Sequence, residues 1–254
     1  PKPRVFRLRS EAAIINRYGF NNDGLAVIAA RLAARKGSPG VVGINLGANK
    51  NSDDRAADYV QGLMALEPHV SFLTVNVSSP NTAGLRDLQG KGALDDLLRR
   101  VMVARVLGKP VFVKVAPDLS DEDLADISAS AIAAKVDGVI VSNTTISREG
   151  VSGRYREEAG GLSGRPLMTP STAVLRAFAQ EARGRLTFIG VGGVSSAKDV
   201  VTKLKAGASA VQLYTALVYK GPRLVNRIIK ELPSVLHAEG FSSVHDAVGT
   251  DIKG

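Results

Sequence analysis

An α/β fold, read as an incomplete (β/α)8 (TIM) barrel with about six of its eight core strands present, is what the sequence predicts. Three observations carry that expectation. Short β-branched runs recur along the chain, helix start signals lie between them, and polar side chains collect at or just past the ends of the runs.

The runs cover residues 41–46, 72–77, 111–115, 138–141, 187–191 and 210–213. Near-continuous apolarity of this kind marks strands buried on both faces, as in a parallel sheet. Residues 5–8 are either a further, weak strand, or the first two barrel strands precede residue 1. Between the runs, Ser120 precedes the acidic first turn Asp121, Glu122 and Asp123, and Thr169-Pro170 reads as an N-cap followed by proline at the first helical position. Ser195 or Ser196 caps another helix directly after a glycine turn. The alternation continues without a Pro/Gly-rich linker, so one domain over residues 1–254 is expected.

The polar residues choose between two architectures. Asn76 and Ser79, Lys114, Asn143 and Thr144, Gly192 and Gly193, and Tyr214 and Thr215 all fall where runs end. A barrel brings every strand end to one mouth, whereas an open doubly wound sheet gathers ligand groups at a switch point. The barrel is the economical reading.

Composition narrows the chemistry. The 254 residues are 44% hydrophobic, enough for a sizeable core. Cysteine is absent, which excludes disulfide frameworks, thiolate metal sites and a cysteine nucleophile or acid. A formal charge of +9 favours anionic partners, but Lys and Arg are dispersed and no nucleic-acid stripe is visible. His69, His237 and His245 have no ligand spacing, so no metal is expected. No apolar run reaches the roughly 18 residues of a spanning helix, and residues 1–9 are basic and polar, unlike a signal peptide.

The segment Asn76-Val77-Ser78-Ser79-Pro80-Asn81-Thr82 is the most informative. Asn76 and Ser78 share a face of an extended strand end, and Pro80 breaks the ladder and turns Ser79, Asn81 and Thr82 into the loop. Asparagine supplies a donor and an acceptor, as a planar ring of alternating N–H and C=O requires. A plain Ser/Asn/Pro turn is the competing reading. Asn16-Arg17-Tyr18-Gly19-Phe20-Asn21-Asn22 and Ser142-Asn143-Thr144-Thr145 repeat the theme, which suits a polar, neutral heterocycle bearing a carboxylate.

Lys114 lies inside an apolar run, where a charge is costly unless something anionic meets it. It can snorkel from the strand end, stabilise negative charge on a reduced flavin, or act as a Schiff-base amine. Gly160-Gly161-Leu162-Ser163-Gly164 and Gly190-Val191-Gly192-Gly193 read as glycine turns. The second precedes a helix start, the geometry of phosphate capture.

On these residues, with the 76–82 segment continued through Ala83-Gly84-Leu85-Arg86 as a 76–86 motif, together with Pro3-Arg4-Val5-Phe6-Arg7-Leu8, Gly43-Ile44-Asn45-Leu46-Gly47, Lys114-Val115-Ala116-Pro117-Asp118 and Gln212-Leu213-Tyr214-Thr215, the chain resembles quinone-dependent dihydroorotate dehydrogenases. The matching phrases keep family order and spacing over essentially the whole chain. The resemblance implies FMN as cofactor and oxidation of dihydroorotate to orotate in pyrimidine synthesis, with electrons passed to a quinone. It implies Ser79 as the base that takes the C5 proton, with Thr82 and Phe20 beside it on the proton's path. The stretch Asn16, Arg17, Tyr18, Gly19 and Phe20, with Asn76, Asn81, Asn143 and Thr144, is then the substrate side. Asn45, Asn76, Lys114, Ser142, Gly164, Gly193, Tyr214 and Thr215 are the FMN contacts. Soluble relatives place a cysteine where Ser79 stands, so the lack of cysteine fits the quinone-dependent class.

Family members of this class begin with a small membrane-docking helical domain and two further barrel strands, which the chain lacks. Also missing is an early Ala-Gly loop and its lysine. The expectation is therefore a piece of a longer protein, peripherally bound to a bacterial cytoplasmic or mitochondrial inner membrane through that absent part. Competing functions are a dihydrouridine-synthase-like RNA flavoenzyme, which needs a cysteine acid, a Schiff-base aldolase barrel, and an inactive fragment.

Overall fold

All six β-branched runs form strands in the computed structural model, which describes residues 2–82 and 84–252. Ala83, inside the 76–86 motif, and the residues at the chain ends lie outside the described residues. In chain order the elements are β1 (Val5–Leu8), β2 (Ala13–Asn16), α1 (Leu25–Ala33), β3 (Gly43–Leu46), α2 (Arg55–Leu66), β4 (Phe72–Asn76), α3 (Lys91–Ala104), β5 (Val111–Val115), α4 (Asp121–Ala133), β6 (Gly138–Val141), β7 (Gly161–Gly164), α5 (Met168–Ala182), β8 (Phe188–Val191), α6 (Ala197–Lys205), β9 (Ala210–Gln212), α7 (Thr215–Lys220), α8 (Leu224–Ala238) and α9 (Val244–Ala247).

Strands β3, β4, β5, β6, β8 and β9 pair in that order, each parallel to the next. The sheet curls into a half-barrel, and its C-terminal strand ends meet around one cavity. It is not closed. The edge strands β3 and β9 leave Gly43, Asn45 and Ala210 exposed, whereas every residue of β6 is buried. Leu73, Val75, Val113 and Val139 pack with Leu63 of α2, Leu94, Leu97 and Leu98 of α3, and Ile127 of α4 in one continuous core.

Residues 5–8 do form a strand, but not a barrel strand. β1 pairs antiparallel with β2, and β2 with β7, in a separate three-stranded sheet. The reason is connection length: β1 and β2 are joined by a tight hairpin, which allows only antiparallel pairing. The 160–164 segment, expected as a glycine turn, contains β7. A Cβ at Gly160 would collide with the Asn16 carbonyl and one at Gly164 with the Ala12 carbonyl. These glycines let β7 lie flush on the hairpin.

Helix starts follow local chemistry. Ser120 accepts the Asp123 N–H at 3.1 Å while the Asp123 carboxylate accepts the Ser120 N–H at 2.9 Å, a complete capping box. Ser196, rather than Ser195, caps α6 by accepting the Asp199 N–H. Helix α5 starts earlier than Thr169-Pro170 indicates, at Met168 after Leu167. Pro170 sits inside the first turn, where its missing N–H costs nothing. No helix among the described residues is long and apolar enough to cross a membrane.

Candidate functional site

The strand ends of the half-barrel, the β1–β2–β7 sheet and α7 enclose a cavity of about 660 Å³, a size suited to a small organic ligand. Every site residue expected from the sequence lines it except Thr82 and Arg17. Thr82 is buried in the loop behind it, its carbonyl accepting the Leu85 N–H. Arg17 pairs with Glu158 at 2.8 Å and lies over the Phe6 ring.

The floor is a relay of neutral amides. β4 ends at Asn76, which is buried and sits beside Lys114 in register. Its Nδ2 donates to Asn45 Oδ1 at 3.1 Å, and its Oδ1 accepts from Asn143 Nδ2 at 3.2 Å and Ser78 Oγ at 3.1 Å. Asn143 Nδ2 also donates to Ser78 Oγ at 3.0 Å, and Asn143 Oδ1 accepts the Thr144 N–H at 2.8 Å. Asn81 Nδ2 donates to Asn16 Oδ1, at the end of β2, at 3.2 Å. Tyr59 of α2 anchors the end of β4, its hydroxyl donating to the Asn76 carbonyl at 2.7 Å. Ser79 is buried at the rim, and its Oγ accepts the Asn81 N–H at 3.3 Å.

Lys114 reaches the cavity from the end of β5. Burial pushes its ammonium below the ordinary lysine range, with no carboxylate among the described residues offsetting that loss of water. A cation so placed is a receptor for negative charge. Further round, Gly192 and Gly193 turn with φ of 105° and 78°. A Cβ at Gly193 would lie 2.5 Å from the Met168 Cα, so only glycine permits the turn to rest on α5. Thr215 Oγ1 donates to Ser163 Oγ at 2.8 Å, and Tyr219 OH to the Ala13 carbonyl at 2.6 Å, tying α7 to the small sheet. Tyr214, beside them, is exposed.

Sequence reasoning missed residues whose neighbours it had noticed. Arg86 donates to the Ser78 carbonyl at 3.2 Å and the Thr144 carbonyl at 3.0 Å, and pairs with Asp118 at 2.9 Å. It thereby joins the two asparagine loops, and its place at the end of the 76–86 motif was the available signal. Ser163, Arg165 and Lys220 line the cavity with no signal in local spacing. His69, His237 and His245 lie near the end of α2, in α8 and in α9, away from the cavity. No cluster of metal-ligating side chains occurs among the described residues.

Comparison with known proteins points one way. The family model described as dihydroorotate dehydrogenase matches residues 1–236. A protein of Parvibaculum lavamentivorans named dihydroorotate dehydrogenase (quinone) is 54% identical over 253 residues, 99% of this chain and 73% of the relative. A mitochondrial enzyme of the same name from Oryza sativa subsp. japonica is 47% identical over 286 residues, covering 100% of this chain and 61% of its own length. The crystal structure of DHODH from Eimeria tenella in complex with ferulenol superposes with a TM-score of 0.95 at 36% identity, over 100% of this chain and 75% of that one.

Proposed function

We propose, on the premise that the chain belongs to the dihydroorotate dehydrogenase family, that the cavity houses that family's reaction and that FMN is the flavin it holds. The reaction is oxidation of dihydroorotate to orotate in pyrimidine biosynthesis, with a quinone as electron acceptor. The RNA flavoenzyme, aldolase and inactive-fragment readings are not favoured by relatives at this level of identity.

The observation that carries the assignment is Lys114, a half-buried cation that lines the cavity beside Asn76 of the amide relay and makes no ion pair among the described residues. That donor set fits a flavin, whose ring offers alternating donors and acceptors and whose reduction adds negative charge. When bound, FMN supplies the hydride acceptor. Asn76 and Asn45 would hold the flavin ring, and Lys114 would supply the cation beside it. The Gly192–Gly193 turn and Thr215 hold the phosphate end.

Asn16, Asn81, Asn143 and Thr144 orient the dihydroorotate ring and carboxylate. Ser79 removes the C5 proton as the C6 hydride leaves, and its burial beside the loop keeps bulk water from competing. Phe20 covers this end of the site, and Thr82 supports the loop behind Ser79. In this reading the half-barrel is the larger part of a (β/α)8 barrel, forming one FMN-binding domain over residues 1–254. Because quinones dissolve in lipid, we place the full-length protein peripherally on a bacterial cytoplasmic or mitochondrial inner membrane.

Purified protein loaded with FMN should show a flavin spectrum that bleaches when dihydroorotate is added without a quinone. Ser79→Ala should slow that bleaching by about 10²–10⁴-fold, the usual contribution of a general base, while orotate binding changes little. An alanine variant that reduces flavin at the parent rate would remove Ser79 from the mechanism. A folded chain that takes up no FMN would remove the cavity's FMN reading and put the inactive-fragment reading ahead.

A further inference from the structure

Among the described residues, two charged side chains are almost completely buried, Glu67 at 2% and Lys203 at 0% exposure, and they are treated differently by their surroundings. Glu67 is neutralised locally, its carboxylate accepting the backbone N–H groups of Val106, Leu107 and Lys109. Lys203, in α6, makes no ion pair among the described residues. Its Nζ donates to Ser171 Oγ at 2.6 Å. Asp199, one turn earlier in the same helix, accepts both the N–H and the hydroxyl of Ser195.

The position of this lone cation is informative. Its stem passes under β8, where a Cβ at Gly190 would lie 3.2 Å from Lys203 Cβ and Cδ. Its partner Ser171 donates its proton to the Leu167 carbonyl at 2.5 Å and packs against the next glycine on that face, with Oγ 3.3 Å from the Gly192 carbonyl and 2.6 Å from where a Gly192 Cβ would be. The ammonium therefore sits behind the Gly192–Gly193 turn, one hydroxyl removed from it. Burial drives the amine down to about 7, with Asp199 only partly offsetting the loss of water. An unmatched buried cation is destabilising on its own and becomes favourable when an anion arrives nearby.

We infer that Lys203 is a positioning residue for the cofactor phosphate: through Ser171 it holds the glycine turn, and its charge is matched when the phosphate docks on the far side of that turn. The inference rests on the FMN reading above. No chemistry is required of Lys203, since it does not reach the cavity.

The test is the difference between FMN and riboflavin, which share the ring and ribityl chain but differ by the phosphate. Affinities of the full chain for both are measured by quenching of flavin fluorescence. Lys203→Met should weaken FMN binding about tenfold or more, as loss of a partly screened charge interaction would, and leave riboflavin binding within about threefold. Equal weakening of both, or no weakening of FMN, overturns the inference while leaving the FMN assignment intact if the parent binds FMN. A parent that binds neither flavin removes both. Should Lys203→Met not fold, Ser171→Ala removes the link to the turn while keeping the lysine, and the same selective loss for FMN is expected, with an equal or absent effect again counting against it.

Discussion

Replacing Lys203 by methionine alters the pH dependence of stability in a way the structure lets one calculate. In the flavin-free chain the buried amine titrates at about 7, against an ordinary lysine value of 10.5. Below about pH 7 it is protonated in both folded and unfolded chains, and the full penalty of the buried charge is present. Between about 7 and 10.5 the unfolded chain holds a proton that the folded chain has released, so stability rises with pH across that window. At about 1.4 kcal/mol per pH unit, the displacement is on the order of 5 kcal/mol as a ceiling, of which roughly 3 kcal/mol is recovered between pH 7 and pH 10. Methionine has nearly the same length, carries no charge, and leaves Ser171 Oγ donating to the Leu167 carbonyl at 2.5 Å. Urea denaturation of parent and variant at pH 7, 8.5 and 10 isolates this group, since all other titrations are common to both. The variant should gain stability relative to the parent at pH 7, and the gap should shrink or reverse by about 3 kcal/mol at pH 10. A gap that stays constant across this range would show that Lys203 keeps its proton in the fold, refuting the reasoning.

Two further outcomes rest on packing. Tyr59→Phe leaves the buried Asn76 carbonyl without its 2.7 Å donor. We expect a loss of about 1–2 kcal/mol in denaturant unfolding together with weaker flavin retention, because the strand end that carries Asn76 loosens. Gly161→Ala forces a Cβ into Thr144, whose own Cβ would be 2.6 Å away. The displaced Thr144 should raise the KM for dihydroorotate by about tenfold with the flavin spectrum unchanged, and an unaltered KM would show that Thr144 is not a substrate contact.

The six parallel strands were legible because each is a β-branched run flanked by loop residues, and burial on both faces leaves no polar alternation to blur it. Ser120 with its acidic first turn was legible for a similar reason, since capping is local chemistry. The asparagine loops could be read because Asn76, Asn81 and Asn143 sit at strand ends whose direction the parallel alternation implies. What escaped was non-local. Nothing in 5–8 or 160–164 distinguishes a barrel strand or a turn from strands of a side sheet. That distinction depends on a hairpin partner and on glycines that allow backbones to touch. Arg17, which the resemblance puts on the substrate side, illustrates another non-local fact: its guanidinium pairs with Glu158 and lies over the Phe6 ring.

Sequence by itself determined the six parallel strands, the capping of α4 and the amide- and hydroxyl-rich, cysteine-free loops of the site, because these depend on residue type and short-range spacing. Tertiary structure alone decided which residues meet. Arg86 bridges loops 58 positions apart between its own place and Thr144, and Lys203 is silent in a helix of ordinary composition. It becomes a buried cation behind a glycine turn only when α5, α6 and β8 pack together, since the cost of desolvating a charge is a property of the assembled interior and not of the chain.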